Sequence, residues 1–342
     1  MKYKLLGKSG LRVSEICLGT MGFGEVWTYG ANKEESKKVF DAFVNSGGNF
    51  IDTANRYTEG SSEKFLGEFI QAERNNLVIA TKYTLYTQRG SVNDGGNHRK
   101  NLVQSVEGSL KRLNTDYIDL LYLHAWDFTV GIEEVLRNLQ YLIQSGKVLH
   151  IAISDTPAWI ISQGNAIAEL RGWSSFVAVQ AEYSLTQRTP ERDIIPMCNA
   201  NNVAVTAWAP LAGGALTGKY LNTTDSSLRL KPESARLNER NTAIAKEVVA
   251  IAKEIGCTAG NVALNWVRKQ TETIIPIVGA RKEEQIKDNL NCLNFDLTEE
   301  QIKRLDTISK IDLGFPHDFL KSDVVKEVVF GGTKDSIQFN RK

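Results

Sequence analysis

Excess charge of either sign is missing from this sequence. Its 342 residues carry 41 Lys and Arg against 40 Asp and Glu, a formal net charge of +1. There is accordingly no basic footprint for nucleic acid or anionic lipid, and no acidic tail. Cysteine is scarce: Cys17, Cys198, Cys257 and Cys292 stand far apart and form no CxxC pair. That spacing excludes the usual metal-ligand pattern and argues against a disulfide framework in a chain of this size. Each cysteine is expected to be a small core residue in a reducing compartment. Long apolar runs are absent too. The N-terminal stretch carries Lys2, Lys4, Lys8, Arg12 and Glu15, leaving no apolar segment of a secretory signal. No run approaches the roughly 18 apolar residues of a membrane span. With no linker, repeat or low-complexity segment either, the expectation is one soluble, cytoplasmic domain over residues 1–342. Its partners are then neither nucleic acid nor membrane, and its oligomeric state is open.

What is present is core material in short pieces. Hydrophobic residues make up 42% of the chain, enough for a large barrel or two smaller domains. Tyr3–Leu6 and Leu11–Val13 flank Gly7-Lys8-Ser9-Gly10 and predict a β-hairpin. After it come eight apolar runs: Ile16–Leu18, Phe50–Asp52, Leu77–Lys82, Ile118–His124, Leu149–Ser154, Val177–Glu182, Val203–Trp208 and Thr273–Val278. Runs this apolar suit strands covered on both faces. Between them lie amphipathic helices. Ile132, Val135, Leu136, Leu139, Leu142 and Ile143 form one stripe, and Val103, Val106, Leu110 and Leu113 another. Alternating strands and helices imply right-handed βαβ units on a parallel sheet. Eight of them match an α/β fold of the closed (β/α)8 TIM-barrel kind, here with an N-terminal β-hairpin and a C-terminal extension after Ile311 lying over the barrel. A doubly wound open sheet is the structural rival. The longest irregular stretch, Leu221–Asn238, has the length of a functional loop.

Polar residues stand at the ends of these runs. Asp52, Lys82 and His124 each end a predicted strand, and Tyr57 follows Asp52 by five residues. In a barrel the C-terminal strand ends converge on the active site. Taken singly, the Asp could be a loop cap, the Lys a solvated strand end and the His a structural one. Their joint appearance on consecutive strands points to chemistry. A phenol titrates near pH 10 and is a poor proton donor by itself. An ammonium within about 4 Å, at an effective dielectric of ~20, favours phenolate by up to roughly 4 kcal/mol. Lys82 can supply that charge, Asp52 can hold Lys82, and His124 can orient a substrate oxygen. This makes a general-acid site without a nucleophile, which needs an outside electron source for redox chemistry.

These residues resemble the aldo-keto reductase superfamily. Phe50-Ile51-Asp52-Thr53-Ala54-Asn55-Arg56-Tyr57 is similar to that family's Asp–Tyr segment. Val78–Lys82 is similar to its lysine strand and Asp116–His124 to its histidine strand, and the likeness runs from Leu6 to about Ile308. The resemblance implies a barrel, an extended nicotinamide cofactor bound without a Rossmann domain, and reduction of aldehydes or ketones. It lies toward the branch of bacterial aldo-keto reductases and potassium-channel β subunits.

The cofactor signals agree with it. No GxGxxG follows a strand, which argues against a Rossmann site. Gly213-Gly214-Ala215-Leu216-Thr217-Gly218-Lys219-Tyr220 comes near a P-loop, but Tyr220 stands where a Ser or Thr would hold magnesium. Glycines still let backbone N–H groups approach phosphate. The segment Trp208-Ala209-Pro210-Leu211-Ala212-Gly213-Gly214 resembles the family's pyrophosphate clasp, with Lys219 beyond it and Trp208 stacked on the nicotinamide. By the same resemblance Ser154 and Gln180 hold the carboxamide, and Gly19-Thr20-Met21 contacts the nicotinamide ribose. Asp155 stands where many members have Asn; being acceptor-only when ionised, it leaves the contact from that position open. After Gly279, a guanidinium at a helix start, Arg281, suits a phosphate monoester. The resemblance gives Arg281, Gln285 and Asn289 to the adenosine 2′-phosphate and adenine, so the implied cofactor is NADP(H). Arg229 is a further candidate for the phosphates.

Trp27, Tyr29, Trp126, Trp159, Phe315 and Phe319 fall on loops or the tail and suggest an apolar substrate pocket, with Trp27 and Trp126 its first candidates. The substrate is then a small carbonyl compound or alcohol. Two other functions suit the same residues. One is a non-catalytic nucleotide-binding regulatory subunit, as the channel β subunits are. The other is a barrel lyase in which Lys82 forms a Schiff base.

Overall fold

The structure, a computed structural model, describes residues 1–27, 29–221 and 229–338. Part of the long stretch Leu221–Asn238, residues 222–228, and the end of the tail, 339–342, lie outside the described residues. Ten strands are described. β1 (Tyr3–Leu5) and β2 (Arg12–Ser14) pair antiparallel, Tyr3 opposite Ser14, as the hairpin expected from the sequence. β3 (Cys17–Gly19), β4 (Phe50–Asp52), β5 (Val78–Tyr83), β6 (Ile118–Leu123), β7 (Val148–Ser154), β8 (Ala178–Glu182), β9 (Ala204–Trp208) and β10 (Ile274–Gly279) form a closed barrel, β10 closing on β3. All eight of its pairings are parallel. The fold is the (β/α)8 barrel, and the open-sheet alternative is excluded.

Side-chain alternation then decides what faces inward. Cys17, Phe50, Val78, Ala80, Leu120, Tyr122, Ala152, Ala178, Ala204, Ile275 and Ile277 fill the barrel interior. Their strand neighbours, such as Ile51, Ile79 and Val278, or Leu121, Ile153 and Val205, pack outward under the helices. Stepping by two along each strand from the interior set reaches Gly19, Asp52, Lys82, His124, Ser154, Gln180, Trp208 and Gly279. The residues at one end of the barrel are therefore aimed at a common axis.

The other end is closed by the hairpin. Leu6 and Val13 join the interior core, and Lys4 Nζ donates to Ile274 O at 3.0 Å. Gly7 sits at φ +57°, where an added Cβ would stand 2.3 Å from Val177 O, so only glycine fits this approach. Outside, helix Ile132–Gln144 buries Ile132, Val135, Leu136, Leu139 and Leu142 as its stripe predicts, while Ile143 at the stripe's edge is half-buried. On helix Arg99–Leu113 the stripe shifts: Leu102 takes the buried place and Val103 is only half-buried. Leu102, Val106, Leu110 and Leu113 keep the helical spacing equally well, and packing chose between them.

The C-terminal extension is present but does not cover the barrel. Its helices His317–Lys321 and Asp323–Phe330 bury no residue. Phe315 and Phe319 are 84% and 56% exposed, so the tail supplies no pocket wall. Three cysteines are buried, as expected, whereas Cys257 is half-buried; all four are free thiols. Among the described residues, no helix is long and apolar enough to cross a membrane.

Candidate active site

A cavity of about 520 Å³ opens at the C-terminal ends of the strands, with Asp52, Tyr57 and His124 in its wall. Beneath them lies Lys82, whose side chain is completely buried. Its Nζ donates to Asp52 Oδ2 at 2.6 Å, to Thr53 O at 2.8 Å and to Tyr57 OH at 3.1 Å. All three ammonium donors are thus occupied. Burial alone would discharge Lys82, but the Asp52 carboxylate and the Tyr57 phenol outweigh it and hold its pKa above the usual value. Lys82 stands outside the cavity lining with its donors occupied, which counts against a Schiff-base lyase.

The second Asp52 oxygen, Oδ1, accepts from Gln180 Nε2 at 2.9 Å. Sequence reasoning had no signal for this contact, because 128 residues separate the partners. It commits one Gln180 N–H to fixing the carboxylate. For Tyr57 the outcome differs from the expected downward tuning. Burial raises the phenol above its ordinary value; Lys82 pulls it back, and Asp52 pushes it up again. Lys82 limits the rise rather than reversing it, because the Asp52 charge that anchors Lys82 acts on the phenol with opposite sign. His124 stands edge-on to the Tyr57 ring, centroids 6.0 Å apart. Burial and then the Lys82 charge lower its pKa to about 3, so the imidazole is neutral at physiological pH. A pH profile of kcat/KM over about pH 5–8 should therefore show no limb near the ordinary histidine value of about 6.5. A limb there that vanishes in His124→Gln would show the ring to be titrating.

At the mouth, Gly19, Met21, Ser154 and Gln180 line the cavity beside Trp208. Thr20 does not: its side chain is buried, with Oγ1 donating to Asp52 O at 2.9 Å. Asp155 also lines the cavity, and its Oδ1 accepts from Trp208 Nε1 at 3.2 Å. The chain after β9 then turns through an unusual run of left-handed residues: Ala209, Ala212, Gly213, Gly214 and Gly218, at φ 50°, 51°, 70°, 100° and 80°. Ala209, Pro210, Leu211, Gly213 and Gly214 all reach the wall. Cβ atoms on the two glycines would come within 3.0 Å of Arg236 and Lys219, so their absence lets both cations close on the loop.

That side of the cavity is strongly positive. Lys219, Arg229, Arg236 and Arg281 line it. Arg236 pairs with Glu182 at 2.6 Å; the other three form no ion pair with a described residue. Burial and then repulsion from Arg281 and Arg229 lower the Lys219 pKa. Lys219, Arg229 and Arg281 keep contact with solvent, so they are tolerated as they stand, and an anion bound among them would relieve their mutual repulsion. Gln285 Oε1 accepts from Arg281 N at 2.8 Å, and Asn289, buried on helix Glu283–Leu290, also faces the hollow, as does Gly279. Arg236 escaped sequence reading because nothing local marks it; the Glu182 pairing across the chain brings it in. Of the aromatic candidates, Tyr29 lines the cavity with Arg229 over its ring at 4.8 Å, while Trp27 and Trp126 stand outside the lining. Trp27 packs against Tyr29 and Trp126 against Phe128.

Residues 15–310 match the sequence profile of the Aldo/keto reductase family. The chain belongs to that family. It is 39% identical over 329 residues to a norsolorinic acid reductase of Aspergillus flavus, covering 92% of this chain and 83% of that protein. It is also 39% identical over 337 residues to an aryl-alcohol dehydrogenase [NADP(+)] of Phanerodontia chrysosporium, covering 90% and 86%. Membership makes this reductase-family chain an oxidoreductase of carbonyl chemistry acting on small molecules, in a family that generally works with a nicotinamide cofactor.

Proposed function

We propose that the chain is a cytoplasmic NADPH-dependent reductase of aldehydes or ketones, and in reverse an alcohol dehydrogenase, with Tyr57 as general acid and base. The observation that carries this reading is the buried Asp52–Lys82–Tyr57 chain, 2.6 and 3.1 Å per link, opening on a cavity whose far side is cationic. The residues present suit a dinucleotide: cations without an ion-pair partner among the described residues for phosphates, a glycine turn free of side chains, and Trp208 for stacking. Lys219, Gly213 and Gly214 would hold the pyrophosphate, and Arg281, Gln285 and Asn289 the adenosine 2′-phosphate end. Ser154 and the remaining Gln180 N–H would hold the carboxamide. When bound, the cofactor supplies the two electrons as hydride.

The chain's own part is binding and proton handling. Neutral His124 can donate one hydrogen bond to the carbonyl oxygen and align it. Tyr57 gives its hydroxyl proton to the oxygen as charge develops there, and Lys82 stabilises the phenolate left behind. Relatives named for aryl alcohols and norsolorinic acid support an aryl carbonyl compound as the substrate.

The cofactor assignment is tested at Arg281. A charged hydrogen bond contributes roughly 1.5–3 kcal/mol, so Arg281→Ala should weaken NADPH about tenfold to a hundredfold and leave NADH nearly unaffected. Titration of both cofactors by fluorescence measures this. Equal losses for the two would overturn the 2′-phosphate role.

A further inference from the structure

Asp155 takes no part in the proton-donor chain or in the cationic wall, yet its carboxylate faces the cavity. Its backbone lies at φ 42°, in the left-handed region. That region explains a short polar residue or a glycine at this place, and Asn would serve it at least as well as Asp. The backbone therefore does not account for the side-chain acceptor. Its partner does. The Trp208 indole has a single N–H donor and no acceptor, and Asp155 Oδ1 receives that donor at 3.2 Å. Asp155 follows β7 and Trp208 ends β9, so the bond reaches across the end of β8, which lies between them in the barrel. Trp208 is in register with Glu182, and Glu182 is held by Arg236, so the strand under the indole is pinned as well.

We propose that Asp155 is a positioning residue that latches the Trp208 indole across the mouth of the cavity, fixing the ring plane before the cofactor arrives. The proposal rests on the cofactor reading above. An unlatched indole is free to rotate about its side-chain torsions and loses that freedom on stacking, which weakens binding. A carboxylate is the stronger anchor because it is acceptor-only and charged.

The charge has a second consequence. The groups acting on Asp155 are the Lys82 ammonium from β5, Tyr57 from the loop after β4, Glu182 from β8 with its partner Arg236 from the segment after β9, and the Trp208 indole from β9. Burial raises the Asp155 carboxyl above its ordinary value, with Trp208 and Lys82 opposing. In turn its negative charge helps to raise the Tyr57 phenol. Removing that charge lowers the phenol pKa, so the alkaline limb of carbonyl reduction moves to lower pH.

Two variants separate latch from charge. Asp155→Asn keeps a side-chain acceptor and loses the charge; Asp155→Gly suits the left-handed backbone and loses both. NADPH titrations should show the Gly variant weakened about threefold to tenfold, discounted for a bond near solvent, and the Asn variant restored to within about twofold. Both should shift the alkaline limb of kcat/KM downward. A Trp208→Phe cycle with Asp155→Gly should be non-additive, because the indole donor and its acceptor form one unit. In ligand-free protein, the Trp208 contribution to emission, taken as wild type minus Trp208→Phe, should change in the Gly variant and stay near wild type in the Asn variant. That last measurement needs no nucleotide, so it judges the latch even if NADPH proves not to be the cofactor. Additive effects, unchanged emission in Asp155→Gly, or an Asn variant as impaired as the Gly variant would each overturn the proposal.

Discussion

Tyr57→Phe is expected to cut kcat for aldehyde reduction by about 10²–10⁴ while leaving NADPH affinity close to wild type. The substitution removes one oxygen and keeps the ring that stands edge-on to His124. Tyr57 and Asp52 are the members of the proton-donor chain in the cavity wall, and of the two only Tyr57 carries a hydroxyl proton, held at 3.1 Å by an ammonium that does not itself line the cavity. His124, neutral and buried, can orient an oxygen but holds no proton to spare at its lowered pKa of about 3. Single-turnover rates with a saturating cofactor isolate the chemical step. Near wild-type turnover by Tyr57→Phe would mean that the proton comes from elsewhere.

Lys82→Met should damage both activity and stability, and the two losses can be separated. Asp52 has 3% of its side chain exposed, and its partner Lys82 has none. Without the ammonium, the carboxylate keeps only the Gln180 N–H as a side-chain donor. Breaking a buried pair from one side costs about 3–5 kcal/mol, because an uncompensated charge remains. The urea midpoint should therefore fall markedly. Adding Asp52→Asn removes that charge and should recover most of the stability. Activity should not return, since the phenolate left by Tyr57 still lacks its cation. If the double variant were active, Lys82 would be structural and the proposed proton chain would be wrong.

Much of the fold was legible because it depends on short-range pattern. Eight apolar runs matched eight barrel strands, with ends displaced by a residue or so, as at β3 and β10. Strand ends are set by hydrogen-bonding partners on other strands, which apolarity does not record. The helix stripe at Ile132–Leu142 held because a whole face repeats. Val103 and Leu102 changed places because both satisfy the helical spacing, and only the neighbouring surface distinguishes them. The tail was misplaced for a related reason. Phe315 and Phe319 read as pocket residues by type, but nothing in a stretch of sequence states what its apolar side chains touch.

By itself the sequence determined the barrel, the hairpin at its base and the identity of the residues at the strand ends. Period-two alternation sends Asp52, Lys82, Ser154 and Gln180 to one axis once the strands are placed, so local order was enough for these. Tertiary structure alone decided how they divide the work. It joined Gln180 to Asp52, used every donor of Lys82 and kept that lysine out of the cavity. It raised the phenol instead of lowering it, brought Arg236 to the wall, and withdrew Thr20, Trp27 and Trp126 from the lining. The reason is that hydrogen bonding and desolvation depend on distances of a few ångströms between residues far apart in the chain. Sequence periodicity sets which way a side chain points, while packing sets what it meets there.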